Sequence, residues 1–186
     1  MNIRLLAAAF VVVLAPVAAR SADDENPYKN AKVGDYSNYK MTMKVAGQNI
    51  AGTITQAITA KTEKEVTLKV SGKVNDMDIP VQEQKIDITK PFDPTKLANQ
   101  PAGADMKVEK GKEGKETIEV GGKKYEANWT NYTVKGKANG LDINSEMKVW
   151  LAKDLPTALA KMEMTMTVAG MKVEMTMELT ETGNKK

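Results

Sequence analysis

The chain of 186 residues contains no cysteine and no histidine. Without cysteine there is neither a disulfide framework nor a thiolate nucleophile, so packing alone must hold the fold and dithiol redox chemistry is excluded. Without histidine the commonest general base, the commonest metal ligand and the usual pH switch are missing together. Arginine is confined to Arg4 and Arg20. Every other basic side chain is lysine, which lacks the bidentate fork that guanidinium offers to phosphate and carboxylate. The lysines alternate with acids and gather into no basic face, which argues against nucleic acid as a partner. Aromatic residues are scarce, and Trp129 and Trp150 are the only indoles.

Long apolar runs are also missing, with one exception at the start. Arg4, an apolar run from Leu5 to Leu14 and the small-residue ending Val17-Ala18-Ala19 have the form of a secretory signal over 1–19. The run is too short to span a bilayer, and the polar stretch Arg20 to Glu25 follows it. The expected product is therefore periplasmic or secreted after cleavage, with no transmembrane segment left. Cleavage after Ala19 leaves about 167 residues, enough for one core that buries roughly 70% of the unfolded surface. Loss of Arg4 leaves 26 basic against 24 acidic residues, so the mature surface is nearly neutral. The expected organisation is a flexible leader at 20–32, a single β domain at 33–182 and a tail at 183–186.

What the sequence has in quantity is alternation. From Lys161 to Glu181, Met162, Met164, Met166 and Val168 fall on one side of a strand. Beyond the Ala169-Gly170 turn, Met171, Val173, Met175, Met177 and Leu179 repeat the pattern. A period of two with one apolar side reads as a half-buried antiparallel hairpin. The same pattern runs through Tyr39, Met41, Met43 and Val45, then Ile50, Ile54 and Ile58, then Val66, Leu68 and Val70. Pro80 assigns its stretch to a sheet edge or a bulge. Residues 89–105 break the alternation with three prolines and hold a single helical turn after an Asp93 cap. Gly111-Lys112-Glu113-Gly114 reads as a mobile interruption. Gly121-Gly122 and Asn139-Gly140 supply hairpin turns, the second opening the long strand Leu141 to Leu151. The seven-residue echo of Met41–Gly47 in Met164–Gly170 reads as reuse of one strand-turn unit. The fold class is all-β: an open, strongly curved antiparallel sheet or incomplete barrel of about ten strands with little helix. Its expected inward residues include Trp129 beside the methionines and Val149.

Catalysis finds little support. No serine lies in a nucleophile-elbow context and no triad can be assembled. Asp76, Asp78, Asp142 and Glu146 could in principle supply a carboxylate pair, but they sit beside turns and on strand surfaces where acids are solvated. Asn75-Asp76-Met77-Asp78 has oxygens for calcium and is equally an ordinary turn. The methionine spacing that could offer thioethers to Cu(I) is the spacing of a strand face. The expectation is a non-enzyme without metal or cofactor.

The segment Val149-Trp150-Leu151-Ala152-Lys153-Asp154-Leu155-Pro156, followed by 157–161 and a further strand, resembles exported proteins of the lipoprotein-carrier superfamily of the LolA and LolB type. The opening Val33-Gly34-Asp35-Tyr36 is similar to that of small secreted proteins from planctomycete-like bacteria. The resemblance implies an incomplete curved barrel whose concave apolar face holds acyl chains. Methionine suits such a face because its unbranched chain adapts to irregular shapes. The binding residues expected on this reading are Met41 and Met43, then Trp129 and Met147, then Met164, Met166, Met175 and Met177. The alternative is an envelope structural or interaction protein with a filled core, an envelope partner and no small-molecule ligand.

Overall fold

A computed structural model describes residues 26–75, 77–90, 105–138, 141–168 and 170–185. The alternating segments become nine strands: β1 (Asp35–Val45), β2 (Gln48–Lys61), β3 (Glu65–Val74), β4 (Met77–Asp87), β5 (Asp105–Val120), β6 (Lys123–Ala138), β7 (Leu141–Leu151), β8 (Leu159–Val168) and β9 (Met171–Asn184). They form one antiparallel sheet in the order β4-β3-β2-β1-β9-β8-β7-β6-β5. Two meanders therefore meet at a central β1–β9 pair, and the sheet stays open with β4 and β5 as its edges. The all-β reading holds, with nine strands among the described residues for the expected ten or so. The Asp93 turn, Asp76, Asn139-Gly140 and the signal segment lie outside the described residues.

Local chemistry explains the turns. Ala46 and Gly47 both have positive φ, 49° and 82°, as a two-residue primed turn requires, and glycine takes the second position at no steric cost. Pro80 satisfies both expectations at once. It lies on edge strand β4, and the register slips beside it, with Val70 opposite Gln82 but Gly72 opposite Ile79.

Three expectations change. Gly111 to Gly114 does not interrupt a strand. It lies within β5, where Lys110 pairs with Tyr132 and Glu113 with Thr130, so the extra residue is absorbed as a bulge. The start of the described chain is not loose: Tyr28 is 0% exposed and Ala31 is buried, because Asn26 anchors the segment by donating to the carbonyls of Asp87 and Lys90 at 3.0 Å each. The tail is also tied in, since β9 runs on to pair Gly183 with Tyr36 and Asn184 with Asp35.

The core lies on the face carried by the alternating apolar positions and forms one continuous cluster that takes in Ile54, Ile58, Leu68, Val149 and Met162. One end is closed by the connection between β7 and β8, where Leu155 and Ala158 are buried. A polar pin holds that connection. Tyr39 Oη lies 2.8 Å from Thr157 Oγ1 and 3.0 Å from the Leu159 carbonyl, and Thr157 Oγ1 donates to Ser37 Oγ at 2.7 Å. Burial pushes the Tyr39 hydroxyl pKa well up, so it stays neutral and available to the pin.

Candidate functional site

Register decides which side chains meet, because directly opposed residues share a face. Met43 of β1 pairs with Met175, Met175 with Met164, Met164 with Met147 and Met147 with Tyr132, giving one row across five strands. A second row runs Met41, Met177, Met162, Val149 and Thr130, and a third Val45, Val173, Met166, Ser145 and Val134. The seven methionines expected at a binding face thus do come together. Each is at most 6% exposed, so all seven are buried side chains.

Trp129 is the exception. It pairs with Trp150, on the face opposite Val149, so neither indole points at the methionines. The cause is a change of buried parity along β6: Ala127 is buried from one side, while Thr130 and Tyr132 are buried from the other. No period-two reading survives that switch. Gly114, directly opposite Trp129, leaves room for the indole, which lies 2.7 Å from where a Cβ would stand. Trp150 is 3% exposed although it lies on the polar face. Lysine stems and charges cover it: Lys148 Nζ sits 4.3 Å from the ring centroids of both Trp129 and Trp150, and Lys161 Nζ 5.1 Å from that of Trp150. Trp150 Nε1 donates to Glu116 Oε2 at 2.8 Å.

Next to this indole row the polar face carries a cleft of about 680 Å³. Its floor is two adjacent cross-strand rows. One runs Asn131, Lys148, Glu163 and Thr176; the other runs Thr133, Glu146, Thr165 and Glu174. The strand residues between them, Tyr132, Met147, Met164 and Met175, also border the cleft, although they are buried members of the core rows. Gly111 and Lys112 at the β5 bulge form the far wall, and β5 comes within contact distance of β9 although three strands separate them in the sheet. The bulge thus borders the same cleft as the four strands of its floor.

The charges are largely matched. Lys161 pairs with Glu163 at 2.9 Å and with Glu178 at 3.5 Å, and the hydrogen bond to Glu163 holds its ammonium above the usual lysine range. The hydrogen bond from Lys172, at 2.5 Å, and then the charge of Lys44 hold the Glu174 carboxyl below the usual range, so it is an acceptor at neutral pH. Of the described acids considered for a carboxylate pair, Glu146 lines this cleft and Asp78 and Asp142 do not. Glu163, Glu174 and Lys148 were not singled out by sequence. Their signal was present in the polar half of the alternation, which sequence reading spent on solvation.

No protein-family model matches the chain, and no curated protein is similar to it. Solved structures do share its architecture. A Bacteroides fragilis protein described as an exported protein with a YmcC-like fold superposes with a TM-score of 0.51 at 6% identity, covering 84% of this chain and 99% of its own. The likeness is one of fold. Two other structures overlap more loosely. One is the hypothetical lipoprotein YmcC of Escherichia coli, at TM-score 0.33 and 11% identity, covering 95% of this chain and 97% of its own; the other is a redesigned β-barrel, at 0.29 and 13%, covering 87% and 100%.

Proposed function

We propose that the protein is an exported, non-catalytic component of the cell envelope whose methionine face is a filled core and whose work is done at its surface. The observation that carries this reading is the burial of all seven candidate methionines in three continuous rows. An acyl chain on that face, as the lipoprotein-carrier reading has it, would need to displace side chains that are already buried against their cross-strand neighbours. Export is supported by the form of 1–19 and by the shared fold of a protein described as exported. The absence of histidine and cysteine from the sequence supports a non-catalytic role.

Truncation tests the filled core. Met162→Ala and Met177→Ala should each lower the unfolding free energy by about 2–5 kcal/mol, as large-to-small changes in packed interiors do. Losses under about 0.5 kcal/mol in both, the size of an ordinary surface change, would mean that these side chains line a space and not a core.

A further inference from the structure

The chemistry of the side chains on the floor of the polar-face cleft selects a ligand class. We propose that it binds a neutral oligosaccharide laid across β6 to β9. The two floor rows and the bulge supply three carboxylates (Glu146, Glu163, Glu174), two ammoniums (Lys112, Lys148) and the neutral polar side chains of Asn131, Thr133, Thr165 and Thr176. A polyanion would face the three carboxylates, and a polycation would face Lys148 and Lys112. An acyl chain would strip water from all of them with no hydrogen bond in return. A sugar hydroxyl both donates and accepts. The row Thr133, Glu146, Thr165, Glu174 alternates hydroxyls with carboxylates and can satisfy a line of such groups.

Size and walls fit the same class. The volume lies within the ordinary range for ligand sites, roughly 300–1,000 Å³. Four strands at a spacing of about 4.8 Å give a floor about 14 Å across, suited to several linked rings and not to one. The indole row borders the cleft through Lys148, whose ammonium sits over both rings and whose own position both rings fix. Trp129 is half-buried and so offers apolar surface at the rim beside a hydrogen-bonding floor.

Trp129 and Trp150 are the chain's two tryptophans, so emission excited selectively from tryptophan, and not from the tyrosines, reports on this region. The processed chain would be titrated with N-acetylchitotetraose, cellotetraose and maltotetraose, and in parallel with spermine, hexametaphosphate and oleate. The proposal expects a saturable change with at least one tetrasaccharide. Binding should weaken about tenfold or more in Glu146→Ala and in the near-isosteric Thr165→Val, each checked for folding by circular dichroism. Lys85→Ala, on edge strand β4, should leave it unchanged. Three results would overturn the proposal: no saturable response to any tetrasaccharide, a response undiminished in both cleft variants, or tighter binding of spermine, hexametaphosphate or oleate than of every sugar. A failed titration leaves the filled core standing, because that reading is tested by the methionine truncations.

Discussion

Replacing Tyr39 by phenylalanine removes one oxygen from a buried polar site of the fold. Tyr39 is 1% exposed, and its hydroxyl lies within 3.0 Å of Thr157 Oγ1 and the Leu159 carbonyl and 3.4 Å from Gln56 Oε1. Phenylalanine fills the ring's space, so the transfer and cavity terms are small and the cost is electrostatic. Breaking a buried hydrogen bond and leaving its partner without one costs about 1–3 kcal/mol. At about 2–4 °C per kcal/mol for a domain of this size, Tm should fall by about 2–12 °C in a thermal melt. The loss should also be local, because the pin ties the β7–β8 connection to β1. Amide hydrogen exchange should therefore quicken first at Ala152 and Ala158, which bond across that connection. The wild-type pin carries an alkaline signature as well. The folded-state pKa of Tyr39 is raised above the unfolded value near 10.0, so its contribution is whole below that value and fades as pH climbs toward the folded one. A melt unchanged within a degree, with uniform exchange, would refute the pin.

Three further outcomes follow from single sites. Gly114→Ala places a Cβ 2.7 Å from the Trp129 ring, so the indole must leave Lys148; the emission spectrum should shift, with a stability loss of about 1–3 kcal/mol, and an unchanged spectrum would contradict the placement. Ala46→Asn puts a residue that tolerates positive φ into a primed turn and should raise stability by about 0.5–1 kcal/mol by chemical denaturation, whereas a loss would argue against that turn. The Asp87 carboxyl is pulled down from 3.8 to about 2, first by the Thr89 hydroxyl and then by Lys90. A depressed folded pKa gives a contribution present above the unfolded value and lost as pH falls toward 2, so a carboxyl NMR titration should show its midpoint near 2, and one near the unperturbed 3.8 would sink the claim.

Sequence carried the strands and the core well, for a physical reason. A sheet with one dry face imposes strict alternation, and wherever Met41 to Val45, Leu68 or Met162 to Met166 obeyed it, the face assignment followed. The polar cleft was hidden by the same rule. Glu163 and Glu174 alternate with methionine as any solvated residues would, and no local pattern tells that Gly111 and Lys112 of β5 border the same cleft. Trp129 misled because an indole reads as core, whereas β6 reverses its buried side between Trp129 and Thr130. Tyr28 shows the opposite error. A lone tyrosine among polar neighbours carries no period, and its burial depends on Asn26 reaching carbonyls more than sixty positions away.

The measurement that bears most directly on the central claim is mass spectrometry of an organic extract of the natively purified, processed protein. A filled methionine core predicts no lipid above the level recovered from an unrelated exported protein prepared in parallel. A single lipid class at close to one molecule per chain, lost in a folded Met164→Glu or Met175→Glu variant, would contradict the account and restore the carrier reading.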